Sequence, residues 1–230
     1  MADEFKLSEI FESLQGEGLN VGKPSLFVRL AMCNLHCTWC DTKYTWDFEH
    51  FDYDSEVELW PVARVADKIA SSTTRNVVIT GGEPLLQQAQ LSELLLQIPE
   101  QISIEVETNG TIAPWPELIA RVDQWNVSPK LAHAGDPSAL RLRMAVLRGF
   151  AALEQAYLKL VLEDDANGEE AAELVRSLGW SADRVLLMPQ ASTRDELRAR
   201  TPAVARESLQ RGYRFSSRLH LELWNGKRGT

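Results

Sequence analysis

From Ser25 onward the chain alternates short β-branched, apolar runs with longer runs of helical apolar spacing. That alternation constrains the fold more than any other feature. Strands alternating with helices specify a mostly parallel sheet joined by right-handed crossovers. The first clear strand covers 25–30, and others are read at 76–80, 102–106, 124–127, 157–162, 185–188 and 215–221. Helical periodicity covers 62–70, with Pro61 suited to a first turn, then 85–98 and 115–122. It returns at 137–148 with Asp136 as N-cap, at 169–178 closed by Gly179, and at 194–211, where Pro202 is a potential break. Six or so βα steps are too few for a closed eightfold barrel. The expectation is α/β: an open, partial (β/α) barrel of about six mostly parallel strands with flanking helices, binding ligands at the C-terminal strand ends. No internal repeat, low-complexity tract or linker interrupts 1–230, which reads as a single domain.

The formal charge of −9 argues against a long nucleic-acid contact, which needs many basic residues, but leaves room for a small anion held by a local arginine. No apolar run approaches a membrane span. The start, Met1, Ala2, Asp3 and Glu4, is acidic and leads into a strand-like segment rather than a signal peptide. A cytoplasmic protein is expected, in which clustered thiols mean metal rather than disulfide.

All three cysteines fall within eight positions, Cys33, Cys37 and Cys40, in a C-x3-C-x2-C arrangement after the first clear strand. Three thiolates from one loop withhold a fourth ligand. A structural zinc site closes with four protein ligands, whereas a catalytic metal keeps a position open. On a four-iron cluster, three thiolates leave one iron free. The competing readings are a redox pair at Cys37 and Cys40, in which Cys33 has no role, and a zinc site completed by His36, Asp41 or His50. Three inert buried thiols would not crowd into a polar loop.

Other polar motifs follow strands. Thr80-Gly81-Gly82-Glu83-Pro84 offers close backbone approach and a carboxylate. Glu105 and Glu107 share one strand face and precede an Asn109-Gly110 turn, a set suited to ribose hydroxyls. Ser128-Pro129-Lys130 could grip a carboxylate. Arg29 interrupts an apolar strand, so it either meets an internal acid or binds an anionic ligand. Thr42 offers a hydroxyl that could join a Mg²⁺ shell.

Taken in order, Leu14-Gln15-Gly16-Glu17-Gly18, Phe27-Val28-Arg29, the cysteine triad with Asp41-Thr42, Thr80–Pro84, 107–111, Ser128-Pro129-Lys130 and the segment 219–230 resemble the 7-carboxy-7-deazaguanine synthases of the radical S-adenosylmethionine (SAM) superfamily. The resemblance runs nearly the full length, though 132–214 matches mainly in pattern. It implies a Mg²⁺-requiring lyase of queuosine and 7-deazapurine biosynthesis. Such an enzyme converts 6-carboxy-5,6,7,8-tetrahydropterin to 7-carboxy-7-deazaguanine, releases ammonia and regenerates SAM. By position, Cys33, Cys37 and Cys40 would hold a [4Fe-4S] cluster and Thr42 the Mg²⁺. Gly82, Glu83, Glu107, Ser128 and Lys130 would contact SAM. Leu14, Gln15, Gly16, Arg29, Thr80 and His220 would surround the pterin, with Arg29 on its carboxylate. The resemblance also implies a homodimer and an electron donor such as flavodoxin or ferredoxin, and gives Thr230 no role. A glycyl-radical activating enzyme shares the triad and GGE logic but usually lacks the Gln15–Gly18 and Leu219-His220 flanks.

Overall fold

The computed structural model describes residues 4–164 and 166–230, so Met1, Ala2 and Asp3 of the acidic start lie outside the described residues. The strands are β1 (Glu4–Leu14), β2 (Pro24–Leu30), β3 (Glu58–Pro61), β4 (Asn76–Gly81), β5 (Ser103–Thr108), β6 (Gln124–Val127), β7 (Ala156–Leu162), β8 (Val185–Pro189) and β9 (Arg214–Phe215). The helices are α1 (Tyr53–Glu56), α2 (Val62–Ser71), α3 (Gln88–Gln97), α4 (Pro116–Arg121), α5 (Ser138–Arg141), α6 (Met144–Ala151), α7 (Ala166–Leu178), α8 (Arg194–Arg211) and α9 (Leu219–Trp224). One sheet runs β3-β1-β2-β4-β5-β6-β7-β8-β9 and does not close on itself. From β2 to β9 every neighbour is parallel, whereas β1 pairs antiparallel with both β2 and β3. The expected six parallel strands are β2 and β4–β8, and the open, partial-barrel architecture holds.

Strand alternation explains the two faces of the sheet. Val28, Leu30, Val77, Ile79, Ile104, Val106, Trp125, Val127, Leu158, Leu160, Val185 and Leu187 point into the main core, which also takes Leu91 and Leu94 of α3, Phe150 of α6 and Val204 of α8. Their neighbours one residue on face the other way: Arg29, Thr80, Glu107, Lys159, Val161 and Met188 line a cavity. A parallel sheet usually buries apolar residues on both faces. Here the second face is polar, and that is where a ligand can sit.

Several local expectations are corrected. The helix read at 137–148 is two, α5 and α6, with Leu142 and Arg143 outside helical geometry. Buried Arg141 donates to the Lys130 carbonyl at 2.8 Å and to Glu170 at 3.1 Å, which pins the first turn to the Ser128–Lys130 loop. Asp136 caps nothing; both its oxygens accept the His36 N–H at 3.1 Å, and Pro137 takes the N-cap. Pro61 likewise sits at the N-cap of α2 and ends β3, a strand the sequence did not reveal. The helix read from Leu85 begins as a 3-10 turn, Pro84–Gln87, before α3. Pro202 does not break α8, whose start is fixed by a reciprocal Thr193/Glu196 capping box. The strand read at 215–221 shrinks to β9, and α9 follows. Leu219, Leu221 and Leu223 alternate as a strand would, but only Leu221 is buried, with Ala191 and Leu197. Among the described residues no helix is long and apolar enough to cross a membrane.

Candidate active site

The cysteine loop leaves β2 through Met32, whose φ of 75° is left-handed. The loop has little regular structure and is tied down by its neighbours. The Met32 N–H donates to the Thr45 carbonyl at 2.7 Å, and the Thr38 N–H to the Ala134 carbonyl at 2.9 Å. Asn109 donates to Asn34 at 2.9 Å, and Asn34 to Thr111 at 2.8 Å. Gly82 presses on the loop from β4: a Cβ there would lie 2.2 Å from the Met32 carbonyl oxygen. Only glycine permits that approach.

Beneath the loop lies a cavity of about 530 Å³. It is lined by Leu14, Gln15, Gly16, Arg29, Cys33, Cys37, Cys40, Thr42, Thr80, Gly82, Glu107, Ser128, Lys130 and His220, which is every site residue the family resemblance implied except Glu83; Glu105, read with Glu107 as a polar pair, does not line it. Glu83 is fully buried behind the wall. Its carboxylate accepts N–H groups of Leu85 at 3.0 Å and Asn109 at 2.7 Å and the Thr108 hydroxyl at 2.8 Å. Burial raises its pKa against those bonds. The two ends of the chain meet at Gly16, where the carbonyl accepts the Leu219 N–H at 2.8 Å and a Cβ would fall 2.2 Å from His220 Nδ1.

Comparison with known proteins places this geometry. A curated 7-carboxy-7-deazaguanine synthase of Pyrobaculum aerophilum is 39% identical over 225 residues, covering 97% of this chain and 96% of its own. The chain belongs to the 7-carboxy-7-deazaguanine synthase family. The synthase of Halobacterium salinarum is 35% identical, covering 95% of this chain and 90% of its own. The crystal structure of QueE from Escherichia coli matches with a TM-score of 0.69 at 27% identity, over 94% of this chain and 95% of that one. Residues 14–124 match the family model of a 4Fe-4S single cluster domain.

The donor set fits such a cluster. All three thiols are free and face one cavity. Two sulfurs already accept N–H groups: Cys40 from Trp46 Nε1 at 3.4 Å and Cys33 from the Leu35 backbone at 3.5 Å. Burial pushes the Cys33 thiol up to about 12 and Cys37 up to about 11. A thiol as buried as Cys37 makes a poor attacking half of a redox pair, since the thiolate is the reactive form, yet metal coordination deprotonates a thiol outright. The proposed fourth zinc ligands are engaged elsewhere: Asp41 pairs with Arg218, exposed His50 with Asp47, and His36 stacks on Trp46 at 4.8 Å. Among the described residues no three His, Cys, Asp or Glu side chains converge as a shell for one ion.

The cavity floor holds a charge network that the sequence reading missed. Lys159 Nζ is 2.5 Å from Glu17 and 3.8 Å from Glu107, with its side chain 5% exposed. Arg218 pairs with Glu17 at 2.8 Å and with Asp41. Glu105, fully buried, accepts from Gln15 and Asn20 at 2.7 Å and from Asn126 at 2.5 Å. Burial alone would raise the Glu17 carboxyl, but Lys159 and Arg218 override it and hold it well below its ordinary range. Burial would lower Lys159, but Glu17 and Glu107 raise it. His220 is pushed down by burial, against Glu17, and so is neutral near pH 7. Lys159 in β7 is, like Arg29, a cation inside an apolar strand, and that pattern marks it in the sequence. Arg29 itself meets an internal acid, Glu9, at 2.8 Å through Nε. Its terminal nitrogens have no protein partner among the described residues. Six cationic and three anionic side chains line the cavity, a net positive lining in a chain of charge −9.

Proposed function

We propose that this chain is a Mg²⁺-dependent radical SAM lyase that converts 6-carboxy-5,6,7,8-tetrahydropterin to 7-carboxy-7-deazaguanine, releasing ammonia and regenerating SAM, in queuosine or other 7-deazapurine biosynthesis. The observation that supports it is one net-positive cavity on which the three thiols and the polar set Gln15, Arg29, Thr80 and His220 converge. A [4Fe-4S] cluster with SAM supplies, when bound, a 5'-deoxyadenosyl radical able to abstract hydrogen. Everything else is the protein's placement of the reacting carbon and exclusion of side reactions. Cys33, Cys37 and Cys40 hold the cluster; Gly82, Ser128, Lys130 and Glu107 hold SAM. Glu83 acts from behind, fixing the Gly82 turn to the β5 end. Arg29, anchored at Nε, offers its terminal nitrogens to the substrate carboxylate in the bidentate geometry arginine favours. Neutral His220, Gln15 and Thr80 supply hydrogen bonds to the ring, Leu14 and Gly16 shape its edge, and Thr42 contributes to Mg²⁺ binding. The protein acts as a single-domain homodimer in the cytoplasm, with a flavodoxin or ferredoxin as electron donor.

The test is anaerobic turnover after iron and sulfide reconstitution, with reductant, SAM, Mg²⁺ and the carboxypterin, read by chromatography and mass. Formation of 7-carboxy-7-deazaguanine with SAM largely conserved is expected. SAM cleavage with the pterin untouched would contradict the lyase and favour a protein-activating enzyme.

A further inference from the structure

The segment 226–230 lines the cavity mouth although it follows the last helix. Two consecutive left-handed residues, Asn225 at φ 51° and Gly226 at φ 76°, turn the chain back after α9. The turn is fastened to the start of α8, where Asn225 Oδ1 accepts the Arg194 N–H at 2.8 Å. Beyond it, Arg228 spans two carboxylates. Its Nε is 2.5 Å from Glu9 Oε1 and its Nη2 2.7 Å from Glu56 Oε2, and its guanidinium lies 3.8 Å over the Tyr44 ring. Glu9 is shared: its other oxygen accepts from Arg29 Nε and from the Tyr44 hydroxyl, each at 2.8 Å. One carboxylate therefore joins the arginine of the cavity wall to the arginine of the tail.

We infer that Arg228 is a positioning residue for the anion subsite: it latches 226–230 over the cavity and, through Glu9, fixes the guanidinium of Arg29. This rests on the proposed pterin substrate, whose carboxylate Arg29 receives. With Arg228 in place, Glu9 is held from both sides, and Arg29 keeps its Nε committed and its terminal nitrogens free. Without it, Glu9 can turn both oxygens to Arg29 and compete with the incoming carboxylate, while the tail loses its anchor. Arg228 is itself 43% exposed, so water screens its ion pairs and each contributes little alone. That suits a latch that must open for substrate entry.

The test uses cluster-loaded enzyme and three variants: Arg228→Met, which keeps an apolar stem over Tyr44, Arg228→Lys, and Glu56→Gln. Binding of the unreduced 6-carboxypterin and of SAM is measured separately, with kcat and KM, iron content, and amide exchange of 226–230. Arg228→Met should weaken pterin binding and raise KM about tenfold, the size of one charge-assisted hydrogen bond. SAM affinity and iron content should stay at wild-type levels, kcat should change less than KM, and the 226–230 amides should exchange faster even without substrate. Arg228→Lys should recover part of the loss, and Glu56→Gln should show a smaller one. Wild-type pterin affinity in Arg228→Met would overturn the coupling through Glu9, and unchanged exchange would overturn the latch. Equal losses for pterin and SAM with a lowered Tm would reduce Arg228 to a structural residue. If wild-type enzyme binds no pterin, the substrate assignment fails, and the exchange data still decide the latch.

Discussion

The cysteine loop and the cavity floor face each other across a single site but are held by opposite means. The loop's ligands are local: its three thiols come from eight consecutive residues, and among the described residues Leu35, Cys37 and Ala134 form its small buried apolar patch, with Cys33, Trp39 and Cys40 packed against it. The floor is long-range: Glu17 meets Lys159 and Arg218 across 142 and 201 positions of sequence. Removing a loop residue should therefore cost chemistry and little stability, and removing a floor residue should cost stability first. The contrast teaches where this molecule stores order. The floor is ordered by buried and half-buried charges that the fold brings together, and the loop by its own sequence and a few hydrogen bonds to Thr45, Asn109, Thr111 and Ala134.

The sharpest break is Cys37→Ala. It should abolish cluster binding and all turnover, while the apo-protein melts within a few degrees of wild type; iron analysis, visible absorption and thermal unfolding check this. Retained turnover would sink the mechanism. Lys159→Met should do the reverse. It removes the cation shared by half-buried Glu17 and Glu107, leaving Glu17 with Arg218 alone, a loss of about 3 kcal/mol, the low end for a broken buried pair. That is a fall in Tm on the order of 10 °C in a chain of this size, with iron loading preserved.

The pH dependence of that difference sharpens the point. Glu17 is depressed in the fold, so its contribution is present above the ordinary 4.5 and lost as pH falls through its folded value. Lys159 is raised, so its contribution is complete below the ordinary 10.5 and lost as pH rises through its higher folded value. Wild-type Tm minus that of Lys159→Met should be flat between those limits and shrink on both sides. A difference independent of pH would mean that packing, not charge, explains the Lys159 effect.

The smallest effect is on the loop side. Trp46→Phe keeps the ring that stacks on His36 but removes the N–H donated to Cys40 Sγ. Hydrogen bonds to cluster sulfurs favour the electron-rich reduced state, so the midpoint potential should fall with Tm and iron content unchanged. A potentiometric titration followed by EPR reads it.

The same contrast explains what could be read from sequence. The six parallel strands were legible because each is a short apolar run, and the cysteine loop because its ligands are contiguous. Arg29 drew attention as a cation in an apolar strand, and Gln15 only through the family resemblance. The partners that make them work did not: Glu9 sits in β1, an antiparallel strand of mixed burial between β3 and β2, and Arg218 and Arg228 lie in a tail whose alternating leucines mimic a strand. Asp136 looked like a cap because its local pattern is that of a cap; the His36 N–H it serves is a hundred residues away. Local pattern reveals elements and contiguous ligands, while networks closed by the fold leave only single odd residues such as Lys159 as their trace.

If the thiols and the polar floor serve one reaction in one cavity, hydrogen must pass between the substrate and SAM there. Anaerobic turnover with the carboxypterin deuterated at C6 tests it most directly, with both product and recovered SAM analysed by mass. The expected result is 7-carboxy-7-deazaguanine together with deuterium in the recovered SAM. Product without deuterium in SAM, or SAM consumed with the pterin unchanged, would contradict it.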